Sequence, residues 1–254
     1  MTLTTRKPSG KPSWPALLIA GQEKTGKSWA CAQASASPRI GRTLWVGIGE
    51  TDPDEYGSIP GADFEIVEHN GTVADIIRVL SEVASLPHDP EKPTLLVVDS
   101  MTKLWEQCSQ WAQTTANSRA KNGAEGVVTM DLWNRAKKYH SHAVQAILAH
   151  NGPSLMTARL EAVTVMDDRG KPTPIKADKI KSEKGLPYEV DGVIEMPERG
   201  QVFITGVRSV ALQLPERKAF PGFTVDGLWE AMGLENTAPR QVAASAEENT
   251  ETTS

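Results

Sequence analysis

Residues 15–37 read PALLIAGQEKTGKSWACAQASAS, a short apolar run, a loop bounded by Gly21 and Gly26, and then an alanine-rich segment of helix formers. The order predicts strand, loop and helix. The eight residues Gly21, Gln22, Glu23, Lys24, Thr25, Gly26, Lys27 and Ser28 fit the pattern GxxxxGK[ST], which between a strand and a helix is a phosphate-binding loop, or P-loop. Glycines let backbone N–H groups turn inward on an anion, and the helix N-terminus behind them adds a favourable dipole. In such a loop Lys27 reaches the β- and γ-phosphates of a nucleoside triphosphate and the Ser28 hydroxyl coordinates the metal, so the expected cofactors are ATP and Mg2+.

Outward from this loop the chain continues as an α/β pattern. TLWVGIGE (43–50) is a second apolar run rich in strand formers, broken by Asp52-Pro53-Asp54. DFEIVE (63–68) suits a further strand, and residues 72–85 carry apolar positions at helical spacing. PTLLVVDS (93–100) is almost uninterrupted in its apolarity and ends in an acid, as a central parallel strand buried on both faces would. Helical patterns follow at 101–120 and 129–148, split by a Gly- and Asn-containing stretch at 121–126. Strands are expected at 154–158, 189–196 and 201–209, and a short helix from Val225 to Met232 stops at Gly233. The polar, lysine-rich and proline-interrupted stretch 167–185 reads as a long loop.

These elements fit one domain, with residues 1–13 as a flexible lead-in, 14–235 as the nucleotide-binding domain and 236–254 as a disordered acidic tail. The fold class expected is a three-layer α/β P-loop domain with a mainly parallel central sheet and a β-rich C-terminal edge. With a net charge of -5 there is no global basic footprint, so any nucleic-acid contact must come from local Lys and Arg patches. Cys31 and Cys108 lack the spacing of a zinc site or disulfide framework, and no apolar run is long enough to span a bilayer. A cytoplasmic protein is the expectation, with no membrane partner. His140 and His142, two apart on a helix, face different ways and make a poor metal pair.

Two acids complete the expected site. Asp99 closes the LLVVD strand, where a P-loop protein holds its magnesium through water; the alternative is a cap for the helix after it. Hydrolysis also needs a group that orients or deprotonates water. Glu50, at the end of the 43–50 strand, is the candidate.

Here the chain resembles the RecA family, whose members place a catalytic glutamate at the end of this strand before a similar Asp-Pro turn. More widely it is similar to bacteriophage nucleotide-binding ATPases of the AAA/RecA-like type, associated with recombination or single-strand annealing. The likeness is carried by GQEKTGKS (21–28), LLVVDSMTKLWEQ (95–107), SLMTAR (154–159), and YEVDGVIEM (188–196) followed by a basic hairpin. It spans about residues 14–235, although the chain is shorter than bacterial RecA and lacks a clear second domain. The resemblance implies ATP hydrolysis by a homo-oligomer on single-stranded DNA, with phage recombination or single-strand-binding proteins as partners. It places Thr157 and Arg159, at a strand end, as γ-phosphate sensors. It also makes Lys179, Lys181, Lys184 and Arg208 candidates for a cation supplied to a neighbouring subunit. The basic, mobile segments 115–127 and 168–186 are expected to touch DNA phosphates, and the tryptophans at 105, 111 and 133 to pack in the core or between subunits. Two other readings of the loop stand beside this one, a small-molecule kinase and a non-catalytic nucleotide-dependent adaptor or packaging factor.

Overall fold

The apolar run before the P-loop forms strand β1 (Ala16–Gly21), in which every residue is buried. The burial follows from placement, because β1 is hydrogen-bonded in parallel to a strand on each side and packed above and below. The structure is a computed structural model that describes residues 5–121, 124–214 and 216–234. The expected tail at 236–254 lies outside the described residues.

Gly26 takes φ 103°, which a side chain would resist, and the chain turns there into helix α1 (Lys27–Ser35). Strand β2 (Arg42–Gly47) leads through a 3-10 turn at Asp54–Ser58 to the two-residue β3 (Glu65–Ile66) and to α2 (Val73–Ala84). Strand β4 (Thr94–Asp99) is followed by two long helices, α3 (Met101–Arg119) and α4 (Met130–Ala149). Then come β5 (Ser154–Met166), β6 (Pro172–Lys181), the single turn α5 (Leu186–Glu189), β7 (Gly192–Glu198), β8 (Gln201–Val207), β9 (Lys218–Ala219) and α6 (Val225–Ala231).

The strands make one sheet in the order β3-β2-β4-β5-β1-β7-β8-β9, with β6 attached to β5 off this path. Strands β3, β2, β4, β5, β1 and β7 run parallel, while β8, β9 and β6 pair antiparallel with their neighbours. Alternation along the strands sorts the apolar side chains into two layers. Leu18, Val46, Val98 and Met156 face α2, α3 and α4. Leu17, Trp45, Val97 and Leu155 face the side covered by α1 and α6. This is the expected three-layer, mainly parallel, RecA-like P-loop fold with a β-rich C-terminal edge.

Three local expectations are corrected. Strand β2 ends at Gly47, so Glu50 lies on the loop beyond it. The 63–68 strand shrinks to two residues at the sheet edge, where only β2 offers a partner. The long loop expected at 167–185 is largely strand, since β5 continues to Met166 and returns as β6. Asp167 closes that hairpin by accepting N–H groups from Arg169 and Lys171, with Gly170 at φ 73°. The arm looks like loop in sequence because its outer half has solvent on both faces, and no apolar alternation is demanded of it.

Within the α-helical layer, His140 on α4 is 2% exposed and sits edge-on to Trp105 at 5.7 Å, with its Nε2 unpartnered. Burial pushes its pKa down from 6.5 to about 4. An unfolded chain binds that proton near pH 6.5 and the folded one near 4, so the stability contributed by neutral His140 is complete above pH 6.5 and lost as pH falls towards 4. Denaturant unfolding followed between pH 7 and pH 4.5 is expected to show a loss of up to about 3 kcal/mol from this group. His140→Leu should flatten that part of the profile.

Candidate functional site

The carboxyl ends of β1 and β4 stand side by side across the first half of β5, and the P-loop crosses above them. A cleft of about 620 Å³ opens there, lined by the loop, Glu50–Asp52, Tyr56, Asp99, Thr157 and Arg159. Thr25 Oγ1 donates to the Gln22 carbonyl at 2.9 Å, and Lys27 Nζ donates to the same oxygen at 2.7 Å. Gly21 must be glycine for a steric reason, because a Cβ would stand 2.6 Å from Thr25 Oγ1 and 2.8 Å from the Met196 carbonyl.

Asp99 lies at the floor, 7% exposed. Its Oδ2 accepts from Ser28 Oγ at 2.7 Å, and its Oδ1 accepts from the Thr157 hydroxyl. It does not cap α3; Ser100 does, accepting from the Lys103 N–H. Burial pushes the Asp99 carboxyl above its ordinary range, against the two hydroxyl donors that favour its charged form. The same burial lowers Lys27, opposed by the charges of Asp99 and Glu50. Both groups thus sit in a desolvated place where an added anion and cation would each meet opposite charge.

Glu50 faces the cleft from the other side. Its carboxylate accepts both Arg159 Nη2 contacts, at 2.9 and 2.7 Å, and a bond from Ser100 Oγ at 2.8 Å. Thr157 and Arg159 are therefore in one constellation with Glu50 and Asp99, but in the middle of β5 and not at a strand end. Their separation by two residues puts both side chains on the same face of the strand.

The remaining cations go elsewhere. Lys179, Lys181 and Lys184 line a second cleft between the arm and α3, where Lys181 pairs with Glu106 at 2.8 Å. Arg208 lies at the opposite end of the sheet, 3.7 Å from Asp191, whose carboxylate accepts the Ala16 N–H at the start of β1. Sequence reasoning missed Asp178 on β6, which accepts from Gln22 Nε2 at 3.1 Å and so ties the arm to the P-loop. It also missed Thr102, which receives the Arg159 N–H and donates to the Lys181 carbonyl. No spacing signal could have found either, since both depend on how β6 folds back.

Ser28 Oγ and Asp99 supply hard oxygen ligands of the kind Mg2+ takes, and a magnesium at such a site completes its shell with water and phosphate oxygens.

The model of a family described as an AAA domain matches residues 15–222, from the residue before β1 to beyond β9. The chain belongs to this AAA domain family. It is accordingly an AAA-type P-loop ATPase with a RecA-like core. No curated protein matches it. Among solved structures it is similar to the RadB recombinase, at 18% identity over 84% of this chain and 89% of that one, with a TM-score of 0.48. It is also similar to an ATPase from the type III secretion system of pathogenic bacteria, at 14% identity over 71% of this chain and a TM-score of 0.44. The chain spans 50% of the length of that ATPase. No described helix is long and apolar enough to cross a membrane.

Gly21→Ala is expected to cost about 1–3 kcal/mol of stability through overpacking and to displace the loop. Denaturant unfolding beside titration with a fluorescent ATP analogue will show both losses; retention of wild-type affinity would mean that the loop can move off β7 without harm.

Proposed function

We propose that this AAA-domain protein hydrolyses MgATP in phage-type DNA metabolism, assisting recombination or single-strand annealing as a homo-oligomer on single-stranded DNA. The observation that carries the catalytic part is the convergence of Ser28, Asp99, Thr157, Glu50 and Arg159 around one loop. In this reading Gly21–Ser28 wraps the phosphates, and Lys27 leaves the Gln22 carbonyl for the β- and γ-oxygens. Ser28 and Asp99 hold the magnesium, which when bound neutralises phosphate charge and orients the γ-phosphoryl group.

Glu50 is the group that orients the attacking water and receives its proton. Arg159 holds it in an ion pair at 2.7 Å. Arg159 is 44% exposed and lines the same cleft, so a γ-phosphate offers it a competing anion. Transfer of the guanidinium to that phosphate frees Glu50 when there is something to hydrolyse. Thr157 acts through Asp99, keeping its carboxylate oriented.

The homo-oligomer is part of the same proposal. Arg208 is 87% exposed at the end of the sheet away from the P-loop. In a head-to-tail assembly one copy's loop faces the next copy's far end, and a cation there can complete the site in trans.

ATP turnover measured with and without single-stranded DNA, beside Lys27→Ala and Glu50→Gln, tests the reading. Turnover should rise with DNA, fall at least about hundredfold in Glu50→Gln and vanish in Lys27→Ala. Survival of turnover in Glu50→Gln would remove Glu50 from its role, and indifference to DNA would remove the DNA link.

A further inference from the structure

We infer that the cleft between the β5–β6 arm and helices α3 and α4 is a stacking site for single-stranded nucleic acid, with Trp105 and Trp133 as its base platform and Lys137, Lys179 and Lys184 as its phosphate contacts. This rests on the DNA-linked reading above and gives it a place on the molecule. The cleft measures about 920 Å³, at the upper end of the range for ligand sites. Sequence placed Trp105 on one helix, Trp133 and Lys137 on the next, and Lys179 and Lys184 on a loop. Folding brings all of them to one hollow.

The chemistry is that of a strand-binding groove. Trp105 and Trp133 are only partly buried, with ring centroids 6.4 Å apart and planes 31° from parallel, and both line the cleft. Every base has a π-face, and stacking on such rings needs no particular sequence. Four lysines (137, 179, 181 and 184) meet three glutamates (106, 161 and 183) in its lining, a small excess of positive charge on a chain whose net charge is -5. Glu106 is already neutralised by Lys103 and Lys181, which hold its carboxyl at about 2. Lys137, Lys179 and Lys184 have no ion pair among the described residues and remain for phosphates. The site is distinct from the nucleotide cleft yet shares the β6 strand with it, through the bond from Gln22 to Asp178.

The test is fluorescence anisotropy of labelled dT30 and rU30 with the full chain at low salt, followed by a salt series. Wild type should bind, and the stronger of the two oligomers identifies DNA or RNA as the natural strand. Trp133→Ala should weaken binding about tenfold or more, with Trp133→Phe restoring most of it. Lys137→Ala with Lys179→Ala should reduce the slope of log affinity against log salt by about 0.7 per lysine. Thermal unfolding of each variant separates lost binding from lost folding, and the surface lysine pair keeps the test valid if Trp133→Ala is unstable. Wild-type affinity and salt slope in the folded lysine variant would overturn the cleft while leaving DNA binding in place. No binding by wild type at low salt would overturn both.

Discussion

A buried carboxylate at the end of a central strand is the constraint on which the rest of this molecule depends. Asp99 is nearly excluded from water, and an ion in such a place is costly unless its oxygens are hydrogen-bonded. Two hydroxyls from two other elements meet it, Ser28 at the start of α1 and Thr157 in β5. Satisfying both fixes how far β4 stands along β5 and where the P-loop ends. The next residue, Ser100, then serves the opposite wall by donating to Glu50 while capping α3.

The two apolar layers make that arrangement rigid. Each central strand sends alternate side chains to α2, α3 and α4 or to α1 and α6, so a slip of one residue would turn every one of them to the wrong face. The polar ends of β1 and β4 are thereby brought together at one edge of a packed sheet, the crevice outside the strand ends where α/β proteins place ligands. Strand β5 runs on past the end of β4. Arg159, level with Gly21 at the end of β1, reaches across the cleft to Glu50, and the strand continues into the arm that closes the second hollow.

The arm also explains why a single cation can belong to two neighbourhoods. Lys181 offers its backbone carbonyl to Thr102, whose hydroxyl oxygen in turn receives the Arg159 N–H, while its side chain reaches Glu106. A chain of hydrogen bonds therefore runs from the nucleotide cleft to the tryptophan cleft through α3 and β6. Burial sets the electrostatics of one end, where Lys27 and Asp99 are both desolvated, and hydrogen bonds set that of the other, where Lys103 and Lys181 hold the Glu106 carboxyl well below its ordinary range.

The sequence by itself determined the elements whose chemistry is local. GQEKTGKS needs only its own glycines and the helix behind it to form an anion-binding loop, and LLVVD needs only its apolarity to become a buried strand ending in an acid. The three layers, the order of strands and helices, and the proximity of Asp99 to the loop were legible for that reason. The tertiary structure decided whatever depends on solvent or on distant partners. The arm reads as loop because solvent on both faces removes the alternation that would betray a strand, and Glu50 reads as strand although β2 stops at Gly47. Asp178, Thr102 and the meeting of Trp105 and Trp133 with the arm's lysines have no signature in spacing, since residues as much as 156 apart become neighbours only when β5 turns back on itself and α3 packs beneath it.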